Sequence, residues 1–225
     1  MAMFVGVCGT MSLCAAVSLD LGHARAMASG LRHLNFRCTA CANCCKELRV
    51  PLTSADLGRL VAKTGRPASE LVDWLETDSV DLTGEPGSLV VLEQASKPAL
   101  MTLAHRGNAC LFLGLDARCA VYDARPGSCR LYPFDLTFGP RGGVRRLRLL
   151  GGTRCDYARD GHNDPHALRE ADQQRWSEHR AYLAQVQTWN RSQRHRLRFG
   201  HRALGSREFL HFLSVASEAT SGNGS

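Results

Sequence analysis

The chain has 225 residues, of which 44% are apolar and 22% charged, and a formal net charge of +7. Such a length buries an ordinary core, and such a composition excludes wholesale disorder and a membrane bundle. Ten cysteines are many, yet a chain of this size does not depend on cross-links to fold, so a metal site competes well with a disulfide framework.

In chain order, residues 1–26 are mostly small and apolar, with no Lys or Arg before Arg25, and Ala24-Arg25-Ala26 has the A-x-A form of a signal cleavage site. The missing basic n-region makes a start codon placed too far upstream the better reading, with Met27 opening an ordinary sequence, over a weak signal-like segment. Ser12, Ser18, Asp20 and His23 interrupt the one apolar stretch, so no transmembrane helix is expected. Residues 47–52 read as a short strand. Thr53-Ser54-Ala55-Asp56 opens a helix with a capping-box-like start that reaches about 64. A second short helix is expected over 68–76, after Pro67, with Leu71, Val72 and Leu75 as its apolar face. Residues 78–87 form a turn-rich connection.

The middle reads as mainly β. Residues 88–94 and 99–105 suggest one hairpin, 111–113 with 119–122 a second, and 132–138 with 144–150 a third around the Gly/Pro-rich turn 139–143. From Asn163-Asp164-Pro165 the pattern turns helical, with Tyr182, Val186 and Trp189 recurring at three- and four-residue spacing in a helix that reaches about Phe199. Trp176, Tyr182 and Trp189 read as packing residues. A last helix covers 206–216, and a Ser/Gly-rich tail over 218–225 is expected to be disordered. The basicity belongs to this end: residues 141–211 hold 15 arginines against 7 acids, and the rest of the chain 13 basic against 14 acidic residues. A solvated arginine-rich helix is the plain meaning; docking of a protein partner is the functional one, with nucleic acid less favoured.

Eight of the ten cysteines fall into two groups, Cys38, Cys41, Cys44 and Cys45, then Cys110, Cys119, Cys129 and Cys155; Cys8 and Cys14 stand apart. Thiolates spaced by two residues in a tight loop can turn toward one centre, as in zinc and iron–sulfur sites. Cys44 and Cys45 are adjacent and are expected to point apart, so one of them should serve another centre or none. Pro126 and Pro133 restrict the backbone around Cys129. Arg125 and Arg130 beside it would stabilise thiolates or an anionic cluster. His105 is the one histidine worth keeping as a ligand, because the sequence has no H-E-x-x-H.

At these residues the chain resembles the YkgJ-like cysteine-cluster family, a zinc- or iron-chelating CxxCxxCC domain that includes flagellin lysine N-methylases. The matching residues are Cys38, Cys41, Cys44 and Cys45, then Cys110, Cys119 with Tyr122, Arg125-Pro126, Cys129-Arg130 and Tyr132-Pro133, then Cys155. The resemblance implies metal binding by all eight and no single reaction. The usual signatures for an S-adenosylmethionine site are missing: no G-x-G-x-x-G is present, and the radical-enzyme spacing fails at Leu48.

The first three cysteines match the ferredoxin pattern, whereas zinc sites usually present two close pairs, so an iron–sulfur cluster, most simply 4Fe–4S, ranks ahead of zinc, and disulfides rank last. The expectation is an α+β fold: a small cysteine-rich domain of short helices and β-hairpins around a metal centre over 27–160, then a basic helical extension over 161–217. It would be a cytoplasmic metal-binding protein with a redox or accessory role. A cluster-dependent protein-lysine N-methylase-like enzyme is the alternative. No catalytic residue is assigned.

Overall fold

The computed structural model describes residues 5–6, 35–76, 86–93, 95, 97–138, 144–150 and 155–221. Most of the N-terminal extension, including Cys8 and Cys14, lies outside the described residues, as do most of the connection 78–87, the turn 139–143 and the end of the tail. Strand β1 (Val5–Gly6) is described, and it pairs antiparallel with Leu48–Arg49.

Strand β2 (Arg37–Cys38) leads through a short loop into helix α1 (Asn43–Glu47) and strand β3 (Leu48–Arg49). Helix α2 (Ser54–Thr64) begins where the sequence places it. Thr53 Oγ1 accepts from the Asp56 N–H at 3.1 Å, and Asp56 Oδ2 accepts from the Thr53 N–H at 3.0 Å, which satisfies two of the helix's orphan donors. Gly65, at φ 65°, takes the left-handed step that ends the helix.

The helix expected over 68–76 is a correction. Ala68–Glu70 makes one 3-10 turn, and Val72–Glu76 is strand β4, antiparallel to β5 (Ala99–Leu103) with Trp74 opposite Met101. Leu71, Val72 and Leu75 suit helical spacing, but β-branched Val72 and aromatic Trp74 also suit a strand, and the partner strand decides between them. The hairpin expected of 88–94 with 99–105 shrinks to a single bridge, Val90 to Ala99. β4 holds one edge of β5, and the other edge is shared by Val90 and residues 50–52, through Leu52 N–H to Met101 O at 3.0 Å and Leu103 N–H to Val50 O at 2.8 Å. β5 is buried along its whole length for that reason.

Strands β6 (His105–Arg106) and β7 (Ala109–Cys110) form a tight hairpin, and Leu113 bridges Cys119. Helix α3 (Gly127–Leu131) carries Cys129, and β8 (Phe134–Phe138) pairs with β9 (Val144–Leu149), the pair expected around the Gly/Pro-rich turn. Strand β10 (Tyr157–Ala158) returns to β2, with Tyr157 opposite Cys38. Helix α4 (Pro165–Arg198) starts on an Asp164 cap, and α5 (Ser206–Ser221) runs past 216, where the pattern weakens.

Two apolar clusters result. The larger gathers Leu60, Leu71, Val90, Ala99, Met101, Tyr182, Val186, Trp189 and Phe209, and Cys110, Cys119 and Cys129 pack against it. The smaller is Phe36, Phe134 and Leu147, with Cys155 and Tyr157 against it. The chain is a mixed α+β protein in which the aromatic stripe of α4 is core: Tyr182 is 1% exposed and Trp189 5%.

Candidate metal centre

The thiols are placed by short elements. The antiparallel pair β2–β10 brings Cys155 beside the loop that starts at Cys38, and Thr39 Oγ1 donates to Asp156 O across this junction at 2.5 Å. Ala40 and Ala42 both have left-handed backbone, at φ 57° and 62°, which coils residues 38–45 tightly and costs each alanine about 1–2 kcal/mol. Strain of this kind persists where the surroundings fix it and tends to gather at functional loops. Within the loop the Ala40 N–H donates to Cys38 Sγ at 3.4 Å.

α1 packs against β7 and so carries Cys44 and Cys45 to Cys110. The expectation that Cys44 and Cys45 point apart is not met: their Sγ atoms lie 3.9 Å apart. The first turn of α1 bends the backbone through the Cys45 N–H to Ala42 O bond at 3.0 Å, and the side chains converge. Around a tetrahedral ion with metal–sulfur bonds of about 2.3 Å, neighbouring sulfurs stand roughly 3.8 Å apart, so this spacing suits two ligands of one ion.

Cys129 is held by a residue whose importance the sequence does not reveal. Asp56, 3% exposed, spends one carboxylate oxygen on the α2 cap; the other accepts from Arg59 at 2.6 Å and from the Gly127 N–H, the first residue of α3, at 2.8 Å. Arg59 continues to Glu178 of α4 at 2.6 Å. One buried carboxylate thus joins α2 and α3, and through Arg59 α4. The capping-box signal marks Asp56 as a helix cap; its bond to residue 127 is long-range and leaves no local pattern.

Electrostatics sort the thiols into the same two neighbourhoods as packing does. Burial pushes the Cys129 thiol well up, and the charges of Cys110, Cys44, Asp56 and Cys119 push it further. Cys110 is raised by burial, with Cys119 and Cys44 as neighbours. Cys155 is raised to about 12, by burial and then by Cys41, Cys38 and Cys44. Cys44 is raised by its hydrogen bond with Cys45 and then by burial. Cys38, Cys41 and Cys155 therefore form one set, Cys110, Cys119 and Cys129 the other, and the Cys44–Cys45 pair lies between them. Tyr132 belongs to the same region: burial raises its phenol, and Cys155, Cys44 and Cys41 add to the shift.

All eight described cysteines are unbridged thiols. Among the described residues no three Cys, His, Asp or Glu side chains converge as ligands on one point, so loading requires thiol side chains to turn. The donors themselves suit a soft thiophilic metal: eight thiols in two sets, with an N–H···S bond in one loop and a sulfur spacing in the pair that fits a tetrahedral edge. Arg125 does not reach them. Its guanidinium stacks on the Tyr122 ring at 3.6 Å and its Nε donates to Tyr122 O. The Arg130 charge acts on Glu178. His105 faces Arg49, Asp73 and the Leu48 backbone, where burial, before the Arg49 charge, lowers its pKa.

Residues 37–145, slightly under half of the chain, match the family model of the CxxCxxCC domain, described as a "putative zinc- or iron-chelating domain". This segment is similar to the CxxCxxCC family. The CxxCxxCC match takes in seven of the eight clustered cysteines and ends before Cys155, which the β2–β10 pairing adds to the site. Metal binding in general is thereby supported for the CxxCxxCC segment. No curated protein and no solved structure matches the chain. No helix among the described residues is long and apolar enough to cross a membrane.

Proposed function

We propose that the chain is a metal-binding protein whose eight clustered thiols hold an iron–sulfur centre, with a redox or accessory role in the cytoplasm. The observation that carries this reading is the sorting of the thiols into two sets of three with the Cys44–Cys45 pair between them, so that each set can be completed to four thiolates. Cys38, Cys41 and Cys155 would hold one centre and Cys110, Cys119 and Cys129 the other, each with one member of the pair. An iron–sulfur centre would supply one-electron chemistry; the chain's part is to fix the thiols, donate N–H to sulfur and limit access of water to Cys129. A reducing compartment is where eight such thiols stay available.

One observation favours zinc as a second reading. Ligands of a four-iron cluster bind different irons and stand farther apart than ligands of a single ion, and 3.9 Å between Cys44 and Cys45 suits a single ion that both would share. Elemental analysis and a visible spectrum of protein purified without oxygen separate the two. Iron with acid-labile sulfide and a broad absorbance that bleaches on reduction is the expected result. Colourless protein with stoichiometric zinc would replace the redox role with a structural or binding one.

A further inference from the structure

The last turns of α4 present a cationic and partly apolar surface that the metal centre does not use. From His179 to Arg207 the chain has seven arginines, no lysine and no acid. Two of these arginines are engaged where the chain turns toward α5: Arg202 pairs with Glu93 at 2.6 Å, and Arg196 Nε donates to Arg202 O at 3.1 Å. Arg191, Arg194 and Arg198 are exposed, follow one another at three- and four-residue spacing along one stripe, and have no ion pair among the described residues. Beside them Leu197 is 52% and Phe199 63% exposed, with the His195 ring 4.6 Å from the Phe199 ring.

Like charges at this spacing repel and weaken a helix, and opposite charge from a partner would relieve them. Arginine and an aromatic side chain, together and exposed, have the composition of an interface rather than of a solvated face. The guanidinium fork matches carboxylates in a bidentate way. A duplex phosphate backbone would leave Leu197 and Phe199 unmatched, and single-stranded bases, which could stack on Phe199 alone, are one arm of the test. A bilayer calls for a broad apolar helix face, and that of α4 is already buried in the core at Tyr182, Val186 and Trp189.

We propose that this end of α4 docks an acidic protein segment, which sets carboxylates against Arg191, Arg194 and Arg198 and an apolar side chain against Leu197 and Phe199. The test uses the full chain and fluorescence anisotropy with a labelled synthetic peptide of Glu and Leu, beside single-stranded DNA and phosphatidylcholine–phosphatidylglycerol vesicles. The expected result is salt-sensitive peptide binding that Arg191→Glu/Arg194→Glu/Arg198→Glu weakens by about tenfold or more and Leu197→Ser/Phe199→Ser by several-fold. Arg145→Glu/Arg146→Glu, at two exposed positions of β9, should leave it unchanged. Should the triple reversal impair folding, Arg194→Gln/Arg198→Gln carries the same comparison. Undiminished binding in the α4 variants, equal loss in the β9 variant, no peptide binding, or tighter binding to DNA or vesicles at the same salt overturns the proposal.

Discussion

At the scale of single residues, Asp56 and the thiols make the sharpest predictions. Asn in place of Asp56 keeps one oxygen and loses the other acceptor, so the Thr53 cap or the Gly127 anchor is lost together with the charge facing Arg59. Asp56→Asn should destabilise the protein by about 1–3 kcal/mol, read from urea unfolding; an unchanged midpoint would show that the anchor is idle. Cys41→Ser or Cys129→Ser should lose bound metal and solubility, whereas Cys8→Ser or Cys14→Ser should change neither, and retained stoichiometric metal in the Cys129 variant would remove that residue from the ligand set. Without metal, folding raises the proton affinity of Cys129, Cys110 and Cys155, the last to about 12 from the usual thiol value of 9.0. The folded state then holds more protons than the unfolded chain above pH 9, so this stability is present below that pH and falls as pH rises towards 12. Metal-bound thiolates have already lost those protons, and the loaded protein should not show this fall. Melting temperatures of both forms across that pH range check the sign.

At the scale of elements, α4 fastens the strand region through side chains on one face. Trp189 Nε1 donates to Val91 O at 2.9 Å, Asn190 Nδ2 donates to Leu89 O at 2.7 Å, and Asn190 Oδ1 accepts from the Val91 N–H at 2.9 Å. Asn190→Ala leaves two backbone groups of residues 89–91 without their partners and should cost about 1–3 kcal/mol in thermal unfolding. The helices with local start signals, at Thr53 and Asp164, were legible in the sequence because a cap is a contact between near neighbours. So was the β8–β9 pair, whose two runs flank a Gly/Pro-rich turn and are local too. Residues 68–76 are not legible as a strand from sequence, because their apolar spacing suits two periods and the choice rests on the distant strand β5, where Trp74 pairs with Met101. The eight clustered cysteines were legible as a group from spacing and resemblance. Their division was not, because the convergence of Cys44 with Cys45, the approach of Cys155 to Cys38 and the second role of Asp56 all depend on contacts distant in sequence or on the bend of α1.

At the scale of the whole molecule, the thiols lie where the two apolar clusters approach each other. Cys110, Cys119 and Cys129 belong to the larger and Cys155 to the smaller. The smaller cluster has three buried apolar residues, a weak core by itself. Metal held by both thiol sets would join the clusters and link binding to folding. The most direct test is a thiol titration of native protein, purified without oxygen, before and after a strong chelator, with metal content measured on the same sample. The account predicts stoichiometric metal and the eight clustered thiols protected before chelation, then exposed as metal is lost. Native protein without metal, whose clustered thiols react at once, would contradict it.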